Sequence, residues 1–307
     1  MTSDRRAVGR NFARGVAMGS ADVVPGVSGG TIALLFGIYE QLVGAIQAGS
    51  IGLTRFLRGD VRGGLDGLRQ VDWWFLIPLV AGEWVTITAL AGVIEHLLTA
   101  YPEEMAGLFL GLVAASILIA SRMLSVWNPS RIGLAASMAA AVFVVLGISG
   151  DPVVDPSGTA FFAAGVVAVC AWILPGISGA FLLLMLGMYS PVISAIDDRV
   201  FSDLAAVALG GLVGLAGFSI ILRRLLERHR DTMLAALIGL MLGSARVLWP
   251  WPNGVGSVSR DTNEVVSGTE MSWPTGNGLW LPLLLAAASF ALVVGFDFRA
   301  HRASDRA

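Results

Sequence analysis

Residues 23–46 read VVPGVSGGTIALLFGIYEQLVGAI, and residues 173–196 read ILPGISGAFLLLMLGMYSPVISAI. At an offset of 150 the two stretches are identical at 9 of 24 positions, among them Pro25/Pro175, Gly26/Gly176, Ser28/Ser178, Gly29/Gly179, Gly37/Gly187 and Tyr39/Tyr189. In each copy a Pro-Gly-x-Ser-Gly breaker sits inside an apolar run. Proline cannot donate to the helix ladder, and glycine opens backbone conformations closed to other residues. The pattern therefore predicts two broken helices. A helix broken at membrane depth is tolerated only where it lines a cavity or is buried in protein. The competing reading is a pair of kinks that serve packing alone. It accounts for one copy easily and for two related copies less well.

The surrounding composition makes membrane depth the right setting. The chain has 307 residues, of which 55% are hydrophobic and 14% charged, with a mean hydropathy of +0.76. A soluble domain carries about 25% charged residues. Apolar segments fall at 8–24, 28–47, 74–98, 104–124 and 132–149, then at 158–174, 178–196, 204–226, 232–249 and 280–298. Segments near 20 residues predict an all-α polytopic membrane protein, and the alternation of a barrel strand is missing. All 20 basic residues are arginine, against 22 acidic ones, and no basic patch suggests nucleic acid. Cys170 is the only cysteine, so a disulfide within the chain is excluded. Arg5, Arg6, Arg10 and Arg14 ahead of an apolar run imitate a signal peptide. Asp22 and the Pro25-Gly26 pair interrupt that run, and we expect no cleavage.

The repeat extends past the breakers. At an offset of 128, Gly111 falls on Gly239 and Ser116 on Ser244. The offset shrinks because the first half carries an amphipathic stretch, RFLRGDVRGGLDGLRQ (55–70), expected at the membrane interface. The expected domains are a first repeat (1–149, with the interfacial insertion 48–72), a second repeat (150–299, with an outer loop 250–279) and a tail (300–307). Each repeat is a broken or re-entrant hairpin plus three transmembrane helices. An odd number of crossings per repeat inverts the second copy, as in many secondary transporters.

Arginine placement tests that topology independently. Arg55, Arg58, Arg62 and Arg69, the pair Arg122 and Arg131, the group Arg223, Arg224, Arg228 and Arg230, and the C-terminal arginines all fall at links expected inside. The links holding Glu103, Glu104, Asp151 and Asp155 lack arginine and are expected outside. The expectation is a multi-pass protein of the cytoplasmic membrane with both termini inside. Trp73, Trp74 and Trp127 then mark the inner interface, and Trp249, Trp251, Trp273 and Trp280 the outer one.

The breakers carry the candidate chemistry. Gly26 and Gly176 permit a turn, and Gly29 and Gly179 permit close backbone approach. Ser28 and Ser178 stand where an N-cap belongs. Unsatisfied amides at a helix start favour an anion. With Gly30 and Thr31 added, these residues form the expected site for a phosphate or carboxylate, and Arg246 is a candidate bidentate partner. Asp22, Glu83 and Glu40 are ionisable groups in or near apolar segments. They are candidates for coupling protons or sodium, with an arginine packing partner as the plainer role for Glu40. No metal site and no cofactor is expected. The formal G-x-S-x-G match at 26–30 lacks the strand-to-helix context of a hydrolase elbow.

The phrases SADVVPGVSGGTIALLFGIYE (20–40), ILPGISGAFLLLMLGMY (173–189) and GLMLGSARVLWPW (239–251) resemble the polyprenyl-phosphate transporter family over residues 8–298. The resemblance implies transbilayer movement of a lipid such as undecaprenyl phosphate, recycled for envelope glycan synthesis. It also implies roles for Asp22, Pro25, Gly26, Ser28, Gly29, Gly30 and Thr31, for Pro175, Gly176, Ser178 and Gly179, and for Gly243, Ser244 and Arg246. Ala180 departs from its counterpart Gly30, but remains small. The head group is expected between the breaks, with the tail left in the bilayer. Two other functions fit the residues: a secondary transporter of a small anion, and a membrane prenyl-pyrophosphate phosphatase.

Overall fold

The computed structural model describes residues 5–22, 28–147, 153–252, 271–274 and 277–304. The first hairpin comprises α1 (Arg5–Asp22), α2 (Gly29–Leu35) and α3 (Tyr39–Leu57), followed by α4 (Val61–Arg69). Long helices α5 (Trp73–Ala100), α6 (Pro102–Arg122) and α7 (Pro129–Val145) come next. The order then recurs as α8 (Gly158–Ile173), α9 (Gly179–Met185), α10 (Tyr189–Asp197), α11 (Phe201–Arg228), α12 (Arg230–Ser244) and α13 (Trp280–Ser304). No strand occurs among the described residues. Polar residues set the starts: the side chains of Asp60, Asp72, Asn128 and Ser157 each accept a bond from an amide in the first turn that follows.

Helices α5, α6, α11 and α13 are long and apolar enough to cross a membrane, while α7 and α8 are shorter apolar helices. Ile77, Trp84, Leu209 and Leu284 on these long helices are exposed. An apolar outer surface suits a protein whose solvent is lipid. Ser28, Thr31 and Glu83 instead turn inward with a core that includes Met18, Tyr39, Leu79, Leu237 and Met241.

Two expected segments are corrected. The runs 28–47 and 178–196 are each two helices. In the first, Gly37 takes φ +66°, and its counterpart Gly187 takes φ +67°. The hydrogen bonds match as well: Ile38 N donates to Ala33 O at 2.9 Å, and Met188 N to Leu183 O at 2.8 Å. This is the left-handed glycine stop of a helix. A single glycine in a continuous apolar run is easily read as part of it. The amphipathic stretch also differs in detail. It is the end of α3 plus α4, which folds back so that Gly67 abuts Gly52.

The long helices pair in a repeated manner. α1 packs on α5 and α8 on α11, while α6 packs on α13 and α7 on α12. Small residues allow the approach. A Cβ on Gly15 would overlap the Leu79 carbonyl, and one on Gly165 the Val207 carbonyl. A Cβ on Gly82 would overlap the Phe12 carbonyl, and one on Gly210 the Phe162 carbonyl. These glycines recur at the same offsets of 150 and 128 found in the sequence.

Ion pairs join the arginine-rich links. Arg230, opening α12, pairs with Glu40 at 2.7 Å; Arg131, opening α7, pairs with Asp231 at 3.0 Å; Arg122 reaches Asp297 at 3.9 Å. The turn at Gly37 immediately precedes Glu40 and so lies at this end. The turn at Gly187 is held elsewhere: its carbonyl accepts from Val153 N at 3.0 Å, in the link beyond the opposite end of α7.

Candidate functional site

The two breaks are in contact. α8 ends at Ile173, where Leu174 takes extended φ −77°, ψ 130°, and Gly176 then turns at φ +83°. The last carbonyls of a helix have no partner of their own. Here the first copy supplies them. Ser28 Oγ donates to Trp172 O at 3.2 Å, and the Tyr39 hydroxyl donates to Ile173 O at 3.2 Å. In return, Gly176 N donates to Thr31 Oγ1 at 2.9 Å. Ser28 and Thr31 are almost fully buried. Gly30 must be glycine for this fit, since a Cβ there would lie 2.8 Å from Ile173 O.

The start of α2 is already satisfied from within. Ser28 is its N-cap, with extended φ −131°, ψ 142°, and its Oγ accepts from Gly30 N at 3.1 Å. Gly29 N donates to the Asp22 carboxylate, which the end of α1 brings across the break. A ligand anion at these two amides therefore has to displace Asp22 and Ser28.

Asp22 is the hub of this region. Besides Gly29 N, it accepts from Trp172 Nε1 at 3.3 Å. Glu83 is 7% exposed, and Gly19 on α1 lies directly against its backbone. The packing of α1 on α5 therefore brings Glu83 to the same edge of the first break as Asp22.

The remaining expected site residues spread out. Gly179 begins α9 and lies against Ala168 of α8, while Gly176 lies against Met241 of α12. Ser178 precedes α9, and its carbonyl accepts from Leu182 N at 3.0 Å. The guanidinium of Arg246 stacks 4.7 Å from the Phe143 ring centroid and lies beside Gly147, at the end of α7. Glu40 is in the exposed pair with Arg230 described above, in its plainer role of arginine partner. Ser244 is buried and bonds back to Met241 O at 2.8 Å. Gly243 abuts Val142 of α7. Pro25 and Gly26 lie outside the described residues, as does most of the 250–279 loop.

Sequence reasoning missed Trp172 and Tyr39 as site residues. Their signal was present: Tyr39 recurs as Tyr189, and Trp172 stands just before the second breaker. It also missed a cavity of about 840 Å³ beside the first break, between α1, α2, α6 and α13. Among the described residues, no cluster of three or more His, Cys, Asp or Glu has the arrangement of a metal site.

Comparison with known proteins adds to this geometry. A family model described as undecaprenyl phosphate translocase-like matches residues 18–266. A polyprenyl-phosphate transporter of Vibrio cholerae serotype O1 is 37% identical over 304 residues, covering 95% of this chain and 96% of the relative. A polyprenyl-phosphate transporter of Staphylococcus aureus is 31% identical over 261 residues, covering 78% of this chain and 86% of the relative. No solved structure matches the chain.

Proposed function

The chain belongs to the undecaprenyl phosphate translocase-like family, and from that premise we propose that it moves a polyprenyl phosphate between the leaflets of the cytoplasmic membrane. Undecaprenyl phosphate is the expected substrate, and its return inward makes it available for envelope glycan synthesis. The activity is transport and not bond breaking. The phosphate passes at the joined breaks, among residues 28–31 and 176–179. The contact of the two breaks through Ser28, Thr31 and Tyr39 is the observation that carries this reading.

The fold is read as two inverted repeats, 1–149 and 150–299. Three features support it: the repeated helix pairs, the matched glycine stops, and the placement of the Gly37 and Gly187 turns toward opposite ends of the long helices. One hairpin then enters from each membrane face, with both termini inside, and the breaks meet between them. Inward movement of a dianion against an inside-negative potential costs about 2.3 kcal/mol per charge per 100 mV. Protons or sodium at Asp22 and Glu83 offset that cost. The packing of Glu83 on α5 against the end of α1 that carries Asp22 supports protons, since two carboxyls then lie at one edge of the break. Arg246, at the other end of α7 from Arg131, serves the phosphate near the outer face.

The test is leaflet exchange of a labelled prenyl phosphate in vesicles holding the purified protein. Exchange should fall at least about tenfold in the Ser28→Ala, Ser178→Ala double variant, as for loss of hydrogen bonds to a charged group, and also in Arg246→Ala. Unchanged exchange in both variants would show the site assignment to be wrong. Absence of exchange by the unaltered protein would overturn the transport reading. Release of inorganic phosphate from a prenyl pyrophosphate would instead establish the phosphatase alternative.

A further inference from the structure

The cavity beside the first break has the shape and charge of an amphiphile. Its walls are apolar over most of their length, formed by Ala17 on α1, Ile32 on α2, Leu112 and Ile119 on α6, and Phe296 on α13. Its volume of about 840 Å³ falls in the ~300–1,000 Å³ range of sites that enclose small ligands. One end reaches Ala21 and Ile32, the neighbours of Asp22 and of the α2 start. The other end holds Arg14, with Met123 and Asp297 near it, toward the arginine-rich links.

Charge at that end is lopsided. Arg10 lies one helical turn before Arg14 on α1. Like charges at this spacing repel and destabilise a helix, unless an anion sits against them. Arg14 bonds to Asn11 Oδ1 at 3.1 Å, a neutral partner that leaves its charge in place. Asp297 on the facing wall is shared with Arg122 at 3.9 Å. Among the described lining residues the charged groups are Arg14 and Asp297, and Arg14 has a second arginine, Arg10, one turn away. A water-soluble anion would satisfy the arginines and waste the walls. A neutral lipid would satisfy the walls and bring no countercharge to Arg14.

We propose that this cavity is the docking site of the polyprenyl phosphate on the arginine-rich side of the membrane, with the phosphate on Arg14 beside Arg10 and the first isoprene units along Ala17, Leu112 and Ile119. This rests on the transport reading above and refines it. The head-proximal part of the chain is held inside the protein, whereas the sequence had left the whole tail in the bilayer. The cavity runs from Arg14 to Ala21 and Ile32, so a head group leaving Arg14 moves toward the first break.

The test is photo-crosslinking in phospholipid vesicles with a prenyl phosphate that carries a diazirine on its first isoprene units. Adducts should map to Leu112, Ile119 or Phe296. Unlabelled prenyl phosphate should compete, while the matching prenol and inorganic phosphate should not. Arg14→Gln should raise the competing concentration about tenfold or more, and Arg14→Lys should recover most of the loss. Adducts confined to lipid-facing residues such as Trp84 and Leu209 would overturn the proposal. So would equal competition by the prenol, or indifference to Arg14→Gln. Leaflet exchange measured on the same vesicles separates the two readings. Exchange with adducts outside the cavity overturns the docking site alone, and adducts inside it without exchange overturn the transport reading alone.

Discussion

Thr31 illustrates how much one side chain holds at the joined breaks. Its hydroxyl accepts the amide of Gly176, and both groups are buried. A buried amide left without an acceptor costs about 1–3 kcal/mol. Thr31→Val keeps the shape and removes the acceptor, so it should lower the thermal unfolding temperature of the purified protein in detergent. Thr31→Ser keeps the oxygen and should stay close to the unaltered protein. Equal unfolding temperatures for the Val and Ser variants would mean that this bond contributes nothing. Ser28 works from the same side, since it caps α2 and also donates to Trp172 O. Residue identity was legible here: the repeated Ser and Gly pointed to caps and close approaches. The partner of each group was not, because a contact across more than 140 residues follows from how two hairpins dock.

At the scale of elements, the short helices α2 and α9 are bounded by glycines of one conformation. Gly37 at φ +66° has no atom within 4 Å of where its Cβ would stand, so backbone strain alone sets the effect of a substitution. Gly37→Ala should therefore destabilise by about 1 kcal/mol, and Gly187→Ala by a similar amount. Gly92→Ala makes the contrast. That residue lies within α5, with open space around it, and gains up to ~1 kcal/mol of helix preference. Chemical denaturation of the three variants checks the order. If Gly37→Ala matched Gly92→Ala, the left-handed stop would be wrong. This stop also explains why the expected run 28–47 divides: hydropathy averages over a turn of two residues, whereas the backbone does not.

The whole molecule is held by exchange between its halves. α6 from the first half packs on α13 from the second, and α12 from the second packs on α7 from the first. Pro282 sits against Gly107, and Ala286 and Ser289 against Gly111, and the main core draws its residues from both halves. Ion pairs through Glu40, Asp231 and Asp297 place the links that carry them at one end, the end proposed above to be inside. Single cysteines test that orientation in a Cys170→Ser background. Leu65→Cys, on exposed α4, should react with an impermeant maleimide only when the inner face is open. Val154→Cys, 84% exposed in the link after α7, should react only from outside. Labelling of both from one face would overturn the inverted arrangement.

The sequence by itself determined that this is a helical membrane protein, and it raised the repeated unit and the two Pro-Gly-x-Ser-Gly breaks as the expectations on which the proposed site rests. Those properties are local: they depend on apolar run length, on residues with unusual backbone freedom, and on the counting of spans. Only the tertiary structure decided that Asp22 occupies the first helix start, that Glu83 and Trp172 complete its surroundings, and that Glu40 is drawn away to Arg230. It alone opened the cavity at Arg14. Each of these depends on which faces of distant helices meet, and hydropathy carries no record of that in a chain whose inner and outer surfaces are both apolar.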